Sequence, residues 1–215
     1  MKASLKVLSD PICPWCWIGK AKLDAALAQR EEAEVAVSWL PFQLNPDMPP
    51  EGMDRTTYLE AKFGGPQNAR VVYGRIEQAA QAAGLDVHFD RIRRTPNTLD
   101  AHRVIRWAAE DGAQETLVAA MFAAYFREGA DLGDREVLAG LASDAGMDGE
   151  RVTARLATDE DRERLLAEEA AAREAGVSGV PTFVVNDRLG LVGAQETDQW
   201  LKVLDRLAME PIGEG

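Results

Sequence analysis

Strand-forming sequence is confined to the two ends of this chain, and that confinement limits the folds open to it more than any other feature. Near the N-terminus, Leu5-Lys6-Val7-Leu8 and Glu34-Val35-Ala36-Val37-Ser38-Trp39-Leu40 have strand composition, the second with apolar residues at 35, 37 and 39. A helical pattern separates them, so the opening reads β-α-β with two parallel neighbouring strands. Strand character returns only at Val180-Pro181-Thr182-Phe183-Val184-Val185-Asn186 and from Leu189 to Val192, ahead of an amphipathic helix around Thr197–Ala208. From Asp54 to Gly176 the chain is rich in Ala, Leu, Glu and Arg. Helices are predicted near 55–63, 67–83, 98–110, 113–127, 134–144, 149–156 and 159–174, with Asn97 and Thr158 as N-caps and Gly84, Gly112, Gly146 and Gly176 as stops. The prediction is an α/β chain, with a β-α-β part (1–50) and a β-β-α part (177–215) interrupted by a large all-helical insertion domain (51–176). With 46% hydrophobic content over 215 residues, it has enough apolar side chain for such a core.

Where the first strand gives way to the first helix stands Cys13-Pro14-Trp15-Cys16, holding the only two cysteines of the sequence. Residues three apart in a helix have side-chain bases roughly 5–6 Å apart, close to what a disulfide accepts. The pair can therefore close and open with little backbone movement and carry two electrons by itself. Cys13 falls at the helix N-terminus, where unpaired N–H groups and the helix dipole favour a thiolate, and Pro14 suits the first turn because it has no donor to lose. Cys13 is the expected nucleophile. Cys16, Leu23 and Leu27 share one helix face, which points the second sulfur inward as the resolving thiol.

Two other uses of a C-x-x-C pair fit less well. A structural zinc site needs a second half, and His88 and His102 stand at no defensible ligand spacing, so no metal is expected. A structural disulfide across four residues constrains little of the unfolded chain. Twenty-four Lys and Arg against thirty-six Asp and Glu give a formal charge of −12, which disfavours nucleic acid and anionic membranes as partners. Met1-Lys2-Ala3-Ser4-Leu5-Lys6 runs into a strand without a signal-peptide pattern and nothing later resembles a membrane span, so a cytoplasmic location is expected. There a redox pair is transient and catalytic.

Several separated motifs, in order, resemble the DsbA-like thioredoxin-fold oxidoreductases, in particular their cytosolic FrnE-type branch. They are Asp10-Pro11-Ile12-Cys13-Pro14-Trp15-Cys16-Trp17-Ile18-Gly19, Phe42-Gln43-Leu44-Asn45-Pro46, Asn97-Thr98 with Ala101-His102-Arg103, Ala124-Tyr125-Phe126, and Gly176-Val177-Ser178-Gly179-Val180-Pro181-Thr182-Phe183 with Gly193-Ala194. The resemblance implies a thioredoxin fold carrying the helical insertion. It also implies that Pro181 is the cis-proline facing the dithiol, presenting the Val180 backbone to Cys13, where an extended client can pair by strand addition.

The implied activity is protein disulfide oxidoreductase or isomerase chemistry. Cys13, Cys16 and Pro181 are its catalytic residues, and Pro14, Trp15 and Val180 contact substrate. The partners are disulfide- or thiol-containing proteins, with no cofactor beyond glutathione as an optional co-substrate. Trp15 stands where strongly oxidising DsbA proteins carry His, so the Cys13 pKa is expected below about 8.5 but above the roughly 3.5 of DsbA, and the couple milder. Trp15 is expected exposed and Trp17 in the core. His102 is expected to pack or hydrogen-bond, and Arg91, Arg93, Arg94, Arg103 and Arg106 to pair with carboxylates. Glu160 with Arg164, and Glu169 with Arg173, look like a charge-laced solvent face. The alternative is a glutathione-dependent enzyme resembling kappa-class transferases and 2-hydroxychromene-2-carboxylate isomerases, which place Ser where Cys13 stands here.

Overall fold

A computed structural model of the chain describes residues 3–30 and 32–209. Its main sheet is assembled from both ends of the sequence, in the order β2 (Val35–Pro41), β1 (Ala3–Ser9), β5 (Thr182–Val185), β6 (Leu189–Val192). β1 and β2 are parallel, with Val7 beside Trp39. β5 is antiparallel to β1, placing Phe183 on the other side of Val7, and β6 is antiparallel to β5. The strand expected over 180–186 is shorter because Pro181 has no ladder donor and Asn186 and Asp187 take up turn geometry at φ 48° and 55°. α1 (Pro14–Leu27) links β1 to β2 and packs against α9 (Thr197–Met209). Leu5, Val7, Ile18, Leu23, Phe183 and Trp200 fill this core, the last two rings meeting edge to face at 4.8 Å.

The stretch between β2 and β5 contains α2 (Arg55–Phe63), α3 (Pro66–Ala82), α4 (Leu99–Glu110), α5 (Gln114–Ala123), α6 (Arg135–Asp144), α7 (Gly149–Leu156) and α8 (Arg162–Glu174). A two-residue ladder, β3 (Met53–Asp54) with β4 (Arg94–Thr95), lies inside it. The mixed α/β thioredoxin-type fold with a helical insertion is therefore as the sequence predicts. Asp54, Asp134 and Asp148 cap their helices by accepting the N–H groups of Thr57, Glu136 and Arg151. The four expected glycine stops all have φ between 69° and 93°, a region only glycine enters without strain.

Four local expectations need correction. The helix predicted over 113–127 is regular only to Ala123, and Ala124–Glu128 form a π-turn. The Ala130 N–H donates to Ala124 at 2.9 Å, which leaves the Phe126 carbonyl to accept from the His88 N–H at 2.7 Å. α8 starts later than expected, with Asp161 at φ 62° as its N-cap, because the Thr158 hydroxyl instead closes α7 on the Arg155 carbonyl at 2.8 Å. Asn97 sits one residue before the N-cap of α4, yet its side chain still accepts the Leu99 N–H at 3.0 Å.

The fourth correction concerns Glu169 and Arg173, which do not form a wholly solvated face because Glu169 is buried. Glu169 is 3% exposed, pairs with Arg173 at 2.6 Å and accepts the Gln43 N–H at 3.0 Å. Arg173 donates to the Gln43 carbonyl at 2.6 Å and lies over the Phe42 ring. Glu160 pairs with Arg155, and Arg164 with Glu168.

Helices α4, α5 and α8 cover the outer edge of β2. The Gln114 amide accepts the Trp39 N–H at 2.9 Å and donates to the Trp39 carbonyl at 3.1 Å, as a neighbouring strand would. Of the basic patch, Arg91, Arg93 and Arg94 are exposed, Arg94 pairing with Asp131 and Arg91 donating to the Arg127 carbonyl, while the other two arginines are tied into the helices. Arg103 is fully buried, pairs with Asp100 and donates to the carbonyls of Arg155, Thr158 and Glu160, while Arg106 pairs with Glu168.

Candidate active site

β1 ends at Ser9, and Asp10-Pro11-Ile12 turns the chain into α1. The Cys13 N–H donates to the Asp10 carbonyl at 2.9 Å, and the Cys13 carbonyl accepts the Cys16 N–H at 3.0 Å. Cys13 is thus the N-cap of α1, with extended backbone, and Pro14 occupies the first helical position. Both cysteines are free thiols and buried, Cys13 at 3% exposure and Cys16 at zero.

The Val180–Pro181 peptide bond is cis, and the Cys13 thiol donates to the Val180 carbonyl at 3.6 Å. Gly19 admits this loop: a Cβ there would lie 3.2 Å from both Pro181 Cγ and Phe183 Cζ. The loop is held further by the Gly193 N–H on the Pro181 carbonyl at 2.8 Å and by the Thr182 hydroxyl on the Gly179 carbonyl at 2.8 Å. Trp15 is 40% exposed beside the thiols, whereas Trp17 is buried and stacks on Phe126 at 5.6 Å. The structure thus brings Cys13, Cys16, Val180 and Pro181 together, with Pro14 and Trp15 at the helix end.

Burial pushes the Cys16 thiol well above its ordinary value, the hydrogen bond with Cys13 raises it further, and the Ser9 hydroxyl opposes both. Asp10 is completely buried, and loss of water raises its carboxyl to about 7, although the N–H groups of Leu44 at 2.7 Å and Ile12 at 3.2 Å and the Thr98 side chain favour the ionised form. His102 is 3% exposed. Burial lowers it to about 3, against a hydrogen bond to the Phe42 backbone, so its ring is neutral at pH 7.

Sequence reasoning gave Ser9 and Asp10 no role. The signal available was a polar pair ending an apolar strand immediately before the dithiol. On the helical side, Arg55 is buried, lies over the Tyr58 and Tyr73 rings and donates to Thr95 and Tyr73. Among the described residues, no group of three or more His, Cys, Asp or Glu could hold a metal ion, and no helix is long and apolar enough to cross a membrane.

The profile of the DSBA-like thioredoxin domain matches residues 4–205. A probable DsbA oxidoreductase of Streptomyces coelicolor is similar in structure, with a TM-score of 0.88 and 31% identity, covering 99% of this chain and 93% of that one. The uncharacterized protein YwbO of Bacillus subtilis (strain 168) is 29% identical over 208 residues, 95% of this chain and 96% of that protein. The cytosolic disulfide reductase DsbM of Pseudomonas aeruginosa, solved with GSH, shares the fold at a TM-score of 0.68 and 21% identity, covering 96% of this chain and 100% of that one.

Proposed function

This chain belongs to the DSBA-like thioredoxin domain family, and on that footing we propose that it is a thiol–disulfide oxidoreductase whose exchange centre is Cys13 with Cys16. The observation that carries the proposal is the contact of two free thiols at the start of α1, with the Cys13 thiol on the Val180 carbonyl. In the reducing direction, the Cys13 thiolate attacks one sulfur of a client disulfide. A Cys13–client disulfide forms and the first client thiolate leaves. Cys16 then attacks Cys13 Sγ, a Cys13–Cys16 disulfide forms, and the second client thiolate departs. The client gains two electrons that the dithiol loses, and the reverse sequence oxidises a client.

The Val180 backbone, set beside Cys13 by the cis bond to Pro181, offers main-chain pairing to an extended client, and Trp15 and Pro14 at the helix end meet its side chains. The narrow exposure of Cys13 favours a slim disulfide, an extended chain or glutathione, over a broad folded surface. A reducing, cytoplasmic setting suits a centre that cycles.

The test is insulin-disulfide reduction and reactivation of scrambled protein by wild type and Cys13→Ser, with glutathione conjugation measured in parallel. Both disulfide activities should vanish in Cys13→Ser. Activity that survives the substitution removes Cys13 from the mechanism, and conjugation as the surviving activity selects the glutathione-transferase alternative.

A further inference from the structure

The inserted helices form a second concave site, and neither cysteine lines it. Residues of α2, of α3 and of the short turn Phe89–Arg91 surround an open cavity of about 360 Å³, within the roughly 300–1,000 Å³ range of small-molecule pockets. Leu59, Ala69, Tyr73 and Phe89 give it a mostly apolar wall. The Tyr73 ring is fixed edge to face between Phe63 at 5.9 Å and Phe89 at 4.7 Å, so this wall is formed before any ligand arrives.

A buried cation belongs to the same wall. Arg55 lines the cavity and is only 9% exposed. Its guanidinium lies over the Tyr73 ring at 5.2 Å and donates to the Thr95 hydroxyl at 3.0 Å and to the Tyr73 hydroxyl at 2.5 Å. Both partners are neutral, and among the described residues Arg55 forms no salt bridge. Arg103, the other buried arginine, is paired with Asp100. A buried charge is costly unless an opposite charge meets it, and the guanidinium fork still has donors to offer. The remaining charged groups on the cavity, Glu60, Arg70 and Asp90, are all exposed, which leaves Arg55 as the inner charge.

We propose that this cavity binds a small organic acid, an apolar or aromatic body bearing one carboxylate. The carboxylate meets the Arg55 fork, whose planar donors match its two oxygens, and the body lies against Leu59, Ala69 and Phe89. The exposed carboxylates of Glu60 and Asp90 disfavour a second negative charge at the outer end of the ligand. The site goes beyond the exchange centre and does not depend on it.

The test is amide chemical-shift mapping of the full-length protein titrated with 4-phenylbutyrate and, separately, with its uncharged counterpart 4-phenyl-1-butanol. Saturable shifts should fall in α2, α3 and the 89–91 turn, and the acid should bind at least about tenfold more tightly than the alcohol. Arg55→Met should bring the acid down to the level of the alcohol. Because Arg55 also ties Thr95 to Tyr73, a second variant leaves it in place: Leu59→Trp fills the cavity and should weaken both ligands by about tenfold or more. The proposal is overturned if wild type shows no saturable shifts in these elements or binds acid and alcohol equally. It is also overturned if Arg55→Met keeps the preference for the acid, or if Leu59→Trp binds as wild type does.

Discussion

Glu169 on α8 accepts the backbone N–H of Gln43 at 3.0 Å, across 126 positions of sequence. That bond and the Arg173 bond to the Gln43 carbonyl fasten the inserted helices to the segment just after β2, the same segment whose Leu44 N–H donates to Asp10. The insertion and the dithiol loop therefore share one polar hinge point.

Glu169→Ala removes the acceptor of a buried N–H and the partner of Arg173. A buried donor left unsatisfied costs about 1–3 kcal/mol. The denaturation midpoint should fall accordingly, and Glu169→Gln, which keeps an acceptor, should lose less. Equal midpoints for wild type and Glu169→Ala would show that the contact contributes nothing.

Asp10 gives a pH dependence of definite sign. Its carboxyl is raised to about 7 in the folded protein, against about 3.9 in the unfolded chain, so between these values the folded state holds a proton that the unfolded state has lost. Its contribution to stability is therefore full below about pH 4 and declines as the pH rises to about 7. Urea titrations at pH 5 and pH 7.5 should show a decline in wild type that is smaller in Asp10→Asn. The same decline in both would exclude Asp10 as its source.

Trp15 should matter for the couple more than for the fold, being 40% exposed. Trp15→His introduces a cation next to the Cys13 thiolate when protonated. The reduction potential, measured by equilibration with glutathione, should rise by about 30 mV or more, tenfold in the equilibrium constant, while stability stays within about 0.5 kcal/mol. A potential that falls or does not move would remove Trp15 from the tuning of the pair.

Gly129 ends the π-turn at φ 76°, where an added Cβ would lie 2.4 Å from the Arg91 carbonyl oxygen. Gly129→Ala should lower stability by more than about 1 kcal/mol, since the backbone conformation and the close approach both disfavour it. A melting temperature equal to that of wild type would contradict this.

The parts of the molecule that follow from periodicity and punctuation were legible in the sequence. The β1–dithiol–α1 junction, the parallel β2, the β5–β6 pair and the glycine stops all have local signatures, and each stands within a few residues of its expected place. What was not legible depends on what lies opposite. The i,i+4 pair Glu169–Arg173 has the same spacing whether its outer side meets water or a strand end, so spacing alone does not tell a solvent face from a buried contact. The π-turn goes together with a Phe126 carbonyl that accepts the His88 N–H, 38 residues earlier, a partner no local window contains. At the site, Cys13 and Cys16 announce themselves through their spacing. Ser9 and His102 line one small cavity between a strand end and a helix distant in sequence, a proximity that no local window contains.

The side-chain amide of Gln114 has a further consequence for the behaviour of the molecule in concentrated solution. By standing in for a peptide unit against Trp39, it occupies the hydrogen-bonding positions through which a second molecule would extend the sheet at β2. The opposite border is β6, four residues long, with Leu189 at 43% and Val192 at 70% exposure. Sheet growth from one molecule to the next is therefore polar: it is blocked at β2, and β6 is the border from which aggregation would begin.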